Sequence, residues 1–120
     1  MIIINRQIEA LDLTISYYIG KNAMDNFNVI DICENKNPNN IWFHVKDKPS
    51  SHVVAEIPIE LVLSKRDILY IVKQGAILCK QYSAYKSDID VPIIWTKIKN
   101  VQKLNIFGQV TTTNVKMINI

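Results

Sequence analysis

The sequence has few of the residues that build covalent or metal-bound frameworks. Its 120 residues include two cysteines, two histidines and three glycines. Two cysteines are too few for a disulfide framework or a zinc site, so a reducing, cytoplasmic compartment is the simplest expectation. There is no Gly-rich phosphate loop, no nucleophile elbow and no acidic pair with metal-site spacing. The sequence therefore predicts neither a cofactor nor a metal ion.

Long hydrophobic runs are missing as well. No apolar stretch approaches the roughly 20 residues that a membrane-spanning helix needs. The apolar opening, residues 1–5, is too short for the hydrophobic part of a secretory signal. Since 48% of the residues are hydrophobic and 21% are charged, we expect a soluble globular chain with no membrane partner. Its length fits a single domain over residues 1–120.

The charges are spread unevenly along the chain. The first 60 residues carry five basic and eight acidic side chains, whereas the last 60 carry nine basic and three acidic ones. A cationic half favours a polyanionic partner, because lysine and arginine release counterions when they bind phosphates. By itself, this pattern is also typical of an ordinary solvated surface.

The hydrophobic pattern predicts an α+β fold. Alternating or β-branched segments predict strands near residues 14–19, 41–46, 52–55, 91–98, 109–112 and 115–118. A short helix is expected near residues 22–33, and one long helix at about residues 65–82, where Ser64 is a good N-cap. Gly75 lies at the centre of the apolar side of this helix and predicts a close approach to the sheet. We expect a mixed, mainly antiparallel sheet packed against the long helix.

Two groups of basic residues could contact phosphates. Arg66, Lys73 and Lys80 are seven residues apart and form a column on the side of the long helix away from the core, either as plain surface or as a secondary basic stripe. Lys97, Lys99 and Lys103 would lie on one side of the chain if this segment were extended. Such a row could follow a nucleic-acid backbone or merely protect an edge strand.

The segment from residue 40 to residue 53 is the most unusual part of the sequence. On a strand, Trp42, His44 and Lys46 share one face, which suits stacking on a base and contact with a phosphate. A strand buried on both faces is the alternative. Because His44 and His52 flank one turn, a two-histidine nuclease is also possible in principle, and the register of the hairpin decides whether the rings meet.

These blocks resemble the NFACT-R domain, the RNA-binding module of NFACT, RqcH and nuclear export mediator factor proteins. The resemblance runs from about residue 14 to the end. It rests on Gly-Lys-Asn-Ala at residues 20–23, Ile-Trp-Phe-His-Val-Lys-Asp at 41–47, Ser-His-Val at 51–53, Tyr-Ser at 82–83, Trp-Thr at 95–96, Lys-Asn-Val at 99–101 and Gly-Gln-Val at 108–110. The family's aspartate before Ile-Trp is Asn40 here, and its glycine before Ser-His is Ser50.

The resemblance implies a non-catalytic module that binds structured RNA, tRNA or rRNA, in translation or ribosome quality control. Since the other regions of full-length NFACT proteins are absent from this sequence, we expect a stand-alone module, similar to the start of coiled-coil domain-containing protein 25. The expected nucleic-acid-binding residues are Lys21, Asn22, Trp42, His44, Lys46, Ser51, His52, Lys99 and Lys103. DNA binding through the same basic surface, nuclease activity, and docking on the ribosome or a translation factor are the alternatives.

Overall fold

The computed structural model describes residues 1–120, which form eight strands, two α-helices and two short 3₁₀ turns. In chain order the strands and helices are β1 (Ile2–Ile8), β2 (Leu13–Ile19), α1 (Ala23–Lys36), β3 (Ile41–Val45), β4 (Val53–Ala55), α2 (Lys65–Gln81), β5 (Pro92–Lys97), β6 (Val101–Lys103), β7 (Val110–Thr112) and β8 (Lys116–Asn119). Neither α-helix combines the length and the hydrophobicity needed to cross a membrane.

The main sheet has six strands in the order β1-β2-β4-β3-β5-β8, and β6 pairs with β7 in a separate small sheet. Every pairing is antiparallel. The prediction of a mixed sheet is therefore wrong. The two helices do connect strands that run in the same direction, but an antiparallel neighbour lies between the strands each time. Strand β4 separates β2 from β3, and β3 separates β4 from β5.

The expectation of one long helix beside a short one is also wrong. Helix α1 has 14 residues and α2 has 17. Two asparagines have structural roles at the beginning of α1: Asn22 is the N-cap and accepts a hydrogen bond from the backbone N–H of Asp25, while Asn26 is buried. Helix α2 begins at the expected Ser64, which forms a capping box with Asp67.

Strand β1 has no counterpart in the sequence-based prediction. It pairs with β2 along its whole length, in a register that places Asn5 opposite Ser16 and Gln7 opposite Thr14. Hydrogen bonds join the side chains of both pairs, at 2.7 Å and 2.6 Å. The apolar opening of the sequence therefore forms an edge strand of the sheet.

One face of the main sheet packs against α2. The core between them contains 18 buried hydrophobic residues, including Phe43 from β3 and Ile71 and Leu78 from α2. Gly75 makes the expected close approach, since a Cβ atom at this position would lie 2.2 Å from Cζ of Phe43. Any side chain at residue 75 would overlap the ring, so the helix can lie this close to the sheet only with glycine there.

The other face of the sheet packs against α1 and the residues around the small sheet. This second core has nine buried residues, among them Trp42 from β3, Phe27 and Ile30 from α1, and Val101 from β6. The sheet is thus covered on both faces, and four of the five β3 residues are buried.

The two cysteines belong to different cores. Cys33 lies on α1 and Cys79 on α2, and both side chains are buried. Burial raises the pKa of each thiol to about 12, since a thiolate would lose its hydration there. Both thiols are therefore protonated and unreactive at neutral pH.

Candidate nucleic-acid interface

A cleft of about 760 Å³ opens on the α1 side of the sheet. Its lining comes from the start of α1, the turn between β3 and β4, the residues that follow α2, and the loop between β6 and β7. Six of the residues predicted from the sequence line it together: Lys21, Asn22, Trp42, His44, Ser51 and His52. The fold therefore brings together segments that are far apart in the chain.

Three aromatic side chains form the floor of this cleft. The indole Nε1 of Trp42 donates a hydrogen bond to Nδ1 of His52 at 3.2 Å. The ring of His44 lies parallel to that of Trp42, with 5.6 Å between the centroids, and at right angles to that of His52, at 5.1 Å. Both Trp42 and His52 are only 1% exposed. Neither ring has a face left for a base, so these two residues shape the floor of the cleft.

The register of the hairpin explains why the histidines meet. Phe43 pairs with Val53, so the same register places His44 opposite His52. Burial, together with the neighbouring His44, lowers the pKa of His52 to about 3, although a hydrogen bond to the backbone of Gly108 acts in the opposite direction. Burial also lowers the pKa of His44. Both imidazoles are therefore neutral at pH 7.

The backbone around His52 is held by the beginning of α1. The N–H of His52 donates to Oδ1 of Asn26 at 3.1 Å, and its carbonyl accepts from the N–H of Gly20 at 3.0 Å. A Cβ atom on Gly20 would lie 2.0 Å from Oδ1 of Asn26. Gly20 therefore lets the chain pass close enough for these bonds, which fix one wall of the cleft relative to its floor.

The rim of the cleft is polar and carries two lysines. Lys21 precedes α1, and Lys48 lies in the turn between β3 and β4. In this turn Asp47 has a positive φ of 56°, whereas Ser50 does not adopt a positive φ, so the turn needs no glycine at position 50. Ser51 closes the rim against the end of α2, with its Oγ 3.4 Å from the carbonyl oxygen of Tyr82.

The other predicted lysines lie outside the cleft. Lys46 is exposed just after β3. Lys103 is ion-paired with Asp31 of α1 at 2.5 Å and also lies over the ring of Phe27. The backbone N–H of Lys99 donates to Pro38, just beyond the far end of α1. Lys99 does not line the cleft, but it lies two residues before Val101, which pairs with the lining residue Thr112.

The predicted row of Lys97, Lys99 and Lys103 does not exist as one extended strand. A 3₁₀ turn, Ile98–Asn100, separates β5 from β6. The side chain of Ile98 in this turn is buried in the second core. Lys99 and Lys103 nevertheless lie on the same side of the main sheet as the cleft, along α1.

The secondary basic stripe belongs to the opposite side of the molecule. Arg66 and Lys73 are exposed on α2, which covers the other face of the sheet. Lys80 is partly buried, and its Nζ donates to the backbone carbonyl of Ile120 at 3.0 Å. These three residues therefore lie away from the cleft, and Lys80 is hydrogen-bonded within the domain.

Most lining residues were not among the predicted site residues, and the polar or aromatic ones include Lys48, Tyr82, Phe107 and Gln109. Phe107 is 58% exposed and Tyr82 is 36% exposed. The sequence contained a signal for Tyr82, because it falls within a block shared with the NFACT-R pattern. For Phe107 there was none beyond its place beside Gly108, since an aromatic residue in a loop is not a distinctive feature.

The sequence also matches a known protein family. The family described as "NFACT protein RNA binding domain" matches residues 8–117 of the chain. The chain belongs to the NFACT RNA-binding domain family. The expected resemblance is thereby confirmed, and membership in this family supports an RNA-binding module.

A solved structure shares the fold. The C-terminal part of the fibronectin/fibrinogen-binding protein from Streptococcus suis superposes with a TM-score of 0.73 at 22% sequence identity. The match covers 88% of the present chain and 41% of the other, so this NFACT domain spans less than half of that structure. No curated protein sequence matches the chain.

One departure from the family pattern has a structural explanation. Asn40 is fully buried and uses both ends of its amide: Nδ2 donates to the carbonyl of Cys33 at 2.8 Å, and Oδ1 accepts from the N–H of Ile57 at 2.7 Å. An aspartate could accept the second bond, but an ionised carboxylate could not donate the first. In this NFACT domain the amide therefore joins the end of α1 to the segment after β4.

Proposed function

We propose that this NFACT domain binds structured RNA, tRNA or ribosomal RNA, in translation or ribosome quality control in the cytoplasm. The observation that carries the proposal is the cleft, where Lys21 and Lys48 flank a polar rim in a chain that belongs to an RNA-binding family. Lysines contact phosphates, and polar side chains at the rim suit sugar and phosphate oxygens.

The proposed footprint extends from the cleft along α1. Lys103 lies beside the middle of this helix and Lys99 beyond its far end, both on the same side of the sheet as the cleft. Lysines at several positions on one side of the domain suit an extended phosphate backbone better than a compact ligand. Asp31 neutralises Lys103, so we assign the stronger phosphate contacts to Lys21 and Lys48.

We assign no catalytic step to the two histidines. With a pKa of about 3 and its Nδ1 occupied by Trp42, His52 is a poor proton donor at neutral pH. No acidic or basic side chain orients either ring, since His52 bonds the indole of Trp42 and Nδ1 of His44 contacts the backbone carbonyl of Val45. The proposed role of the cleft is binding.

The test is a titration of the purified chain with labelled tRNA, and with duplex DNA of similar length, at several salt concentrations. We expect tRNA to bind more tightly than DNA. Lys21→Ala and Lys48→Ala should each weaken binding of all RNA sequences alike and lower the salt slope by about 0.7–0.9. Fluorescence anisotropy measures both quantities.

Lys65→Ala is the matched control, because Lys65 is an exposed lysine at the start of α2 and lies outside the cleft. Equal effects of all three substitutions would remove the cleft from the footprint. A failure to bind any RNA would overturn the proposal. Binding to ribosomes that is insensitive to salt and is not competed by RNA would favour docking on protein instead.

A further inference from the structure

Two exposed aromatic rings lie at the mouth of the cleft, and their hydrophobic surface is not used by either core. Phe107 is 58% exposed in the loop between β6 and β7 and touches Phe27 only edge-on, with 5.7 Å between the centroids. Tyr82 follows α2 beside Ser51 and is 36% exposed. Burial of these rings would contribute favourable free energy, which makes them candidates for contact with a flat ligand.

The size of the cleft fits such a ligand. Its volume of about 760 Å³ falls within the roughly 300–1,000 Å³ of typical small-molecule sites. A nucleobase within a duplex has both faces covered by neighbouring bases and cannot offer them to a protein ring. An unpaired base in a loop or single strand can stack on an aromatic side chain.

The floor supplies a hydrogen-bond acceptor. Nδ1 of His44 lies 2.6 Å from the backbone carbonyl of Val45, so this nitrogen must carry the ring proton. In the neutral ring Nε2 then has a free lone pair. No protein group hydrogen-bonds this atom, and it is not among the sealed polar atoms of the structure. It can accept a hydrogen bond from a base amino group or a ribose hydroxyl.

We propose that the cleft takes up an unpaired nucleobase of the bound RNA, with Tyr82 and Phe107 stacking on the base and His44 Nε2 accepting a hydrogen bond from the nucleotide. This inference rests on the proposed function, and it specifies which part of a structured RNA is recognised: an unstacked base in a loop or single-stranded segment, held by rings at the rim while Lys21 and Lys48 contact the flanking phosphates.

The test compares three labelled nucleic acids of equal length at one salt concentration: a single-stranded RNA of mixed sequence, the same strand annealed to its complement, and a single strand that lacks bases. Charge alone would favour the duplex, which has the highest charge density. Stacking is worth about 1–3 kcal/mol per base, so we expect the single-stranded RNA to bind about 5- to 150-fold more tightly than the strand without bases. It should also bind more tightly than the duplex.

Two substitutions at the rim locate the stacking contact. Tyr82→Leu and Phe107→Leu remove a ring while keeping a hydrophobic side chain, and each should bring the ratio between single-stranded RNA and the strand without bases towards one. Tyr70→Leu is the matched control: Tyr70 is 38% exposed on α2 and does not line the cleft, so this ratio should stay unchanged. Circular dichroism and urea unfolding show whether each variant keeps the fold.

The outcomes separate this inference from the proposed function. Equal binding of all three nucleic acids by the wild type would overturn base uptake while leaving RNA binding intact. No binding of any of them would overturn both. A preference for single-stranded RNA that survives both leucine variants would show that the base does not stack on these rings, and would overturn the assignment.

Discussion

The two faces of the main sheet are built in different ways. Between the sheet and α2, the core is formed by hydrophobic side chains, and the buried Tyr17 hydroxyl donates to the backbone carbonyl of Ile71 at 2.7 Å. The five buried polar residues all lie on the other side, in or around α1 and the sheet face that it covers: Asn26, Asn37, Asn40, His52 and Thr96.

This difference separates stability from recognition. The α2 face is closed by hydrophobic packing, which is non-directional and leaves no room for a ligand. On the α1 face, Asn26 accepts a hydrogen bond from the backbone N–H of His52, and Asn40 joins the end of α1 to the segment after β4. The bond to Asn26 fixes one wall of the cleft relative to its floor, and the smaller hydrophobic core on this face leaves the cleft open.

The largest expected effect tests the polar side of this comparison. Asn40→Ala should lower the free energy of unfolding by about 2–4 kcal/mol, because the N–H of Ile57 and the carbonyl of Cys33 would both lose a buried hydrogen bond. Urea unfolding measures the change. Asn39→Ala, at an exposed neighbouring position, is the control and should cost little. A loss below about 0.5 kcal/mol for Asn40→Ala would show that these bonds do not hold the α1 face.

The next test addresses the packed side. Gly75→Ala should destabilise the domain by about 1–3 kcal/mol, since the new methyl group overlaps the ring of Phe43. Adding Phe43→Leu should recover part of the loss, because the overlap involves the tip of the ring. Helix propensity alone predicts a gain of about 1 kcal/mol for Gly75→Ala. A measured gain in urea unfolding would therefore mean that the α2 face is loosely packed.

The pH dependence of stability sharpens the comparison further. An unfolded histidine has a pKa of about 6.5, whereas that of His52 in the folded protein is about 3. Below pH 6.5 the unfolded state binds the proton more readily, so stability is lost as the pH falls. We expect a loss of up to about 1.4 kcal/mol per pH unit from His52 between pH 6.5 and 4.5.

The control for this prediction is His52→Gln, which removes the titrating group. Its stability should depend less steeply on pH over the same interval, as measured by urea unfolding at each pH. Identical slopes for the variant and the wild type would show that the imidazole of His52 is not sealed beneath the cleft.

The smallest effect is expected at the surface of the α1 side. Lys103→Ala removes an ion pair with Asp31, but both side chains are substantially exposed, so water and salt screen the pair. The free energy of unfolding should change by less than about 1 kcal/mol. A larger change in urea unfolding would mean that surface charge contributes as much to this face as the buried amides.

Local features of the fold could be predicted from the sequence. Ser64 and Asp67 specify the start of α2, and Gly75 specifies its close contact with the sheet, because capping and steric overlap depend on few residues. Strand order is a long-range property. The insertion of β4 between β2 and β3 depends on how the whole sheet assembles, and no local pattern in the sequence encodes it.

The candidate site shows the same division. The shared block at residues 41–53 indicated where the cleft would form, and six of the nine predicted residues line it. The alternation of Trp42 and His44 could not show that α1 would cover the indole, since a strand buried on both faces has the same pattern. The 3₁₀ turn Ile98–Asn100 interrupts the predicted row of lysines and is too short to recognise from periodicity.

The inert thiols of Cys33 and Cys79 have a practical consequence. Both are buried in separate cores and stay protonated at neutral pH. A cysteine introduced at an exposed position would therefore be the one thiol that reacts with a maleimide carrying a photo-crosslinking group. Gln109→Cys or Ala84→Cys would place this probe at the cleft rim, within reach of a bound strand. The nucleotides that it crosslinks would then show the orientation of the RNA on the domain.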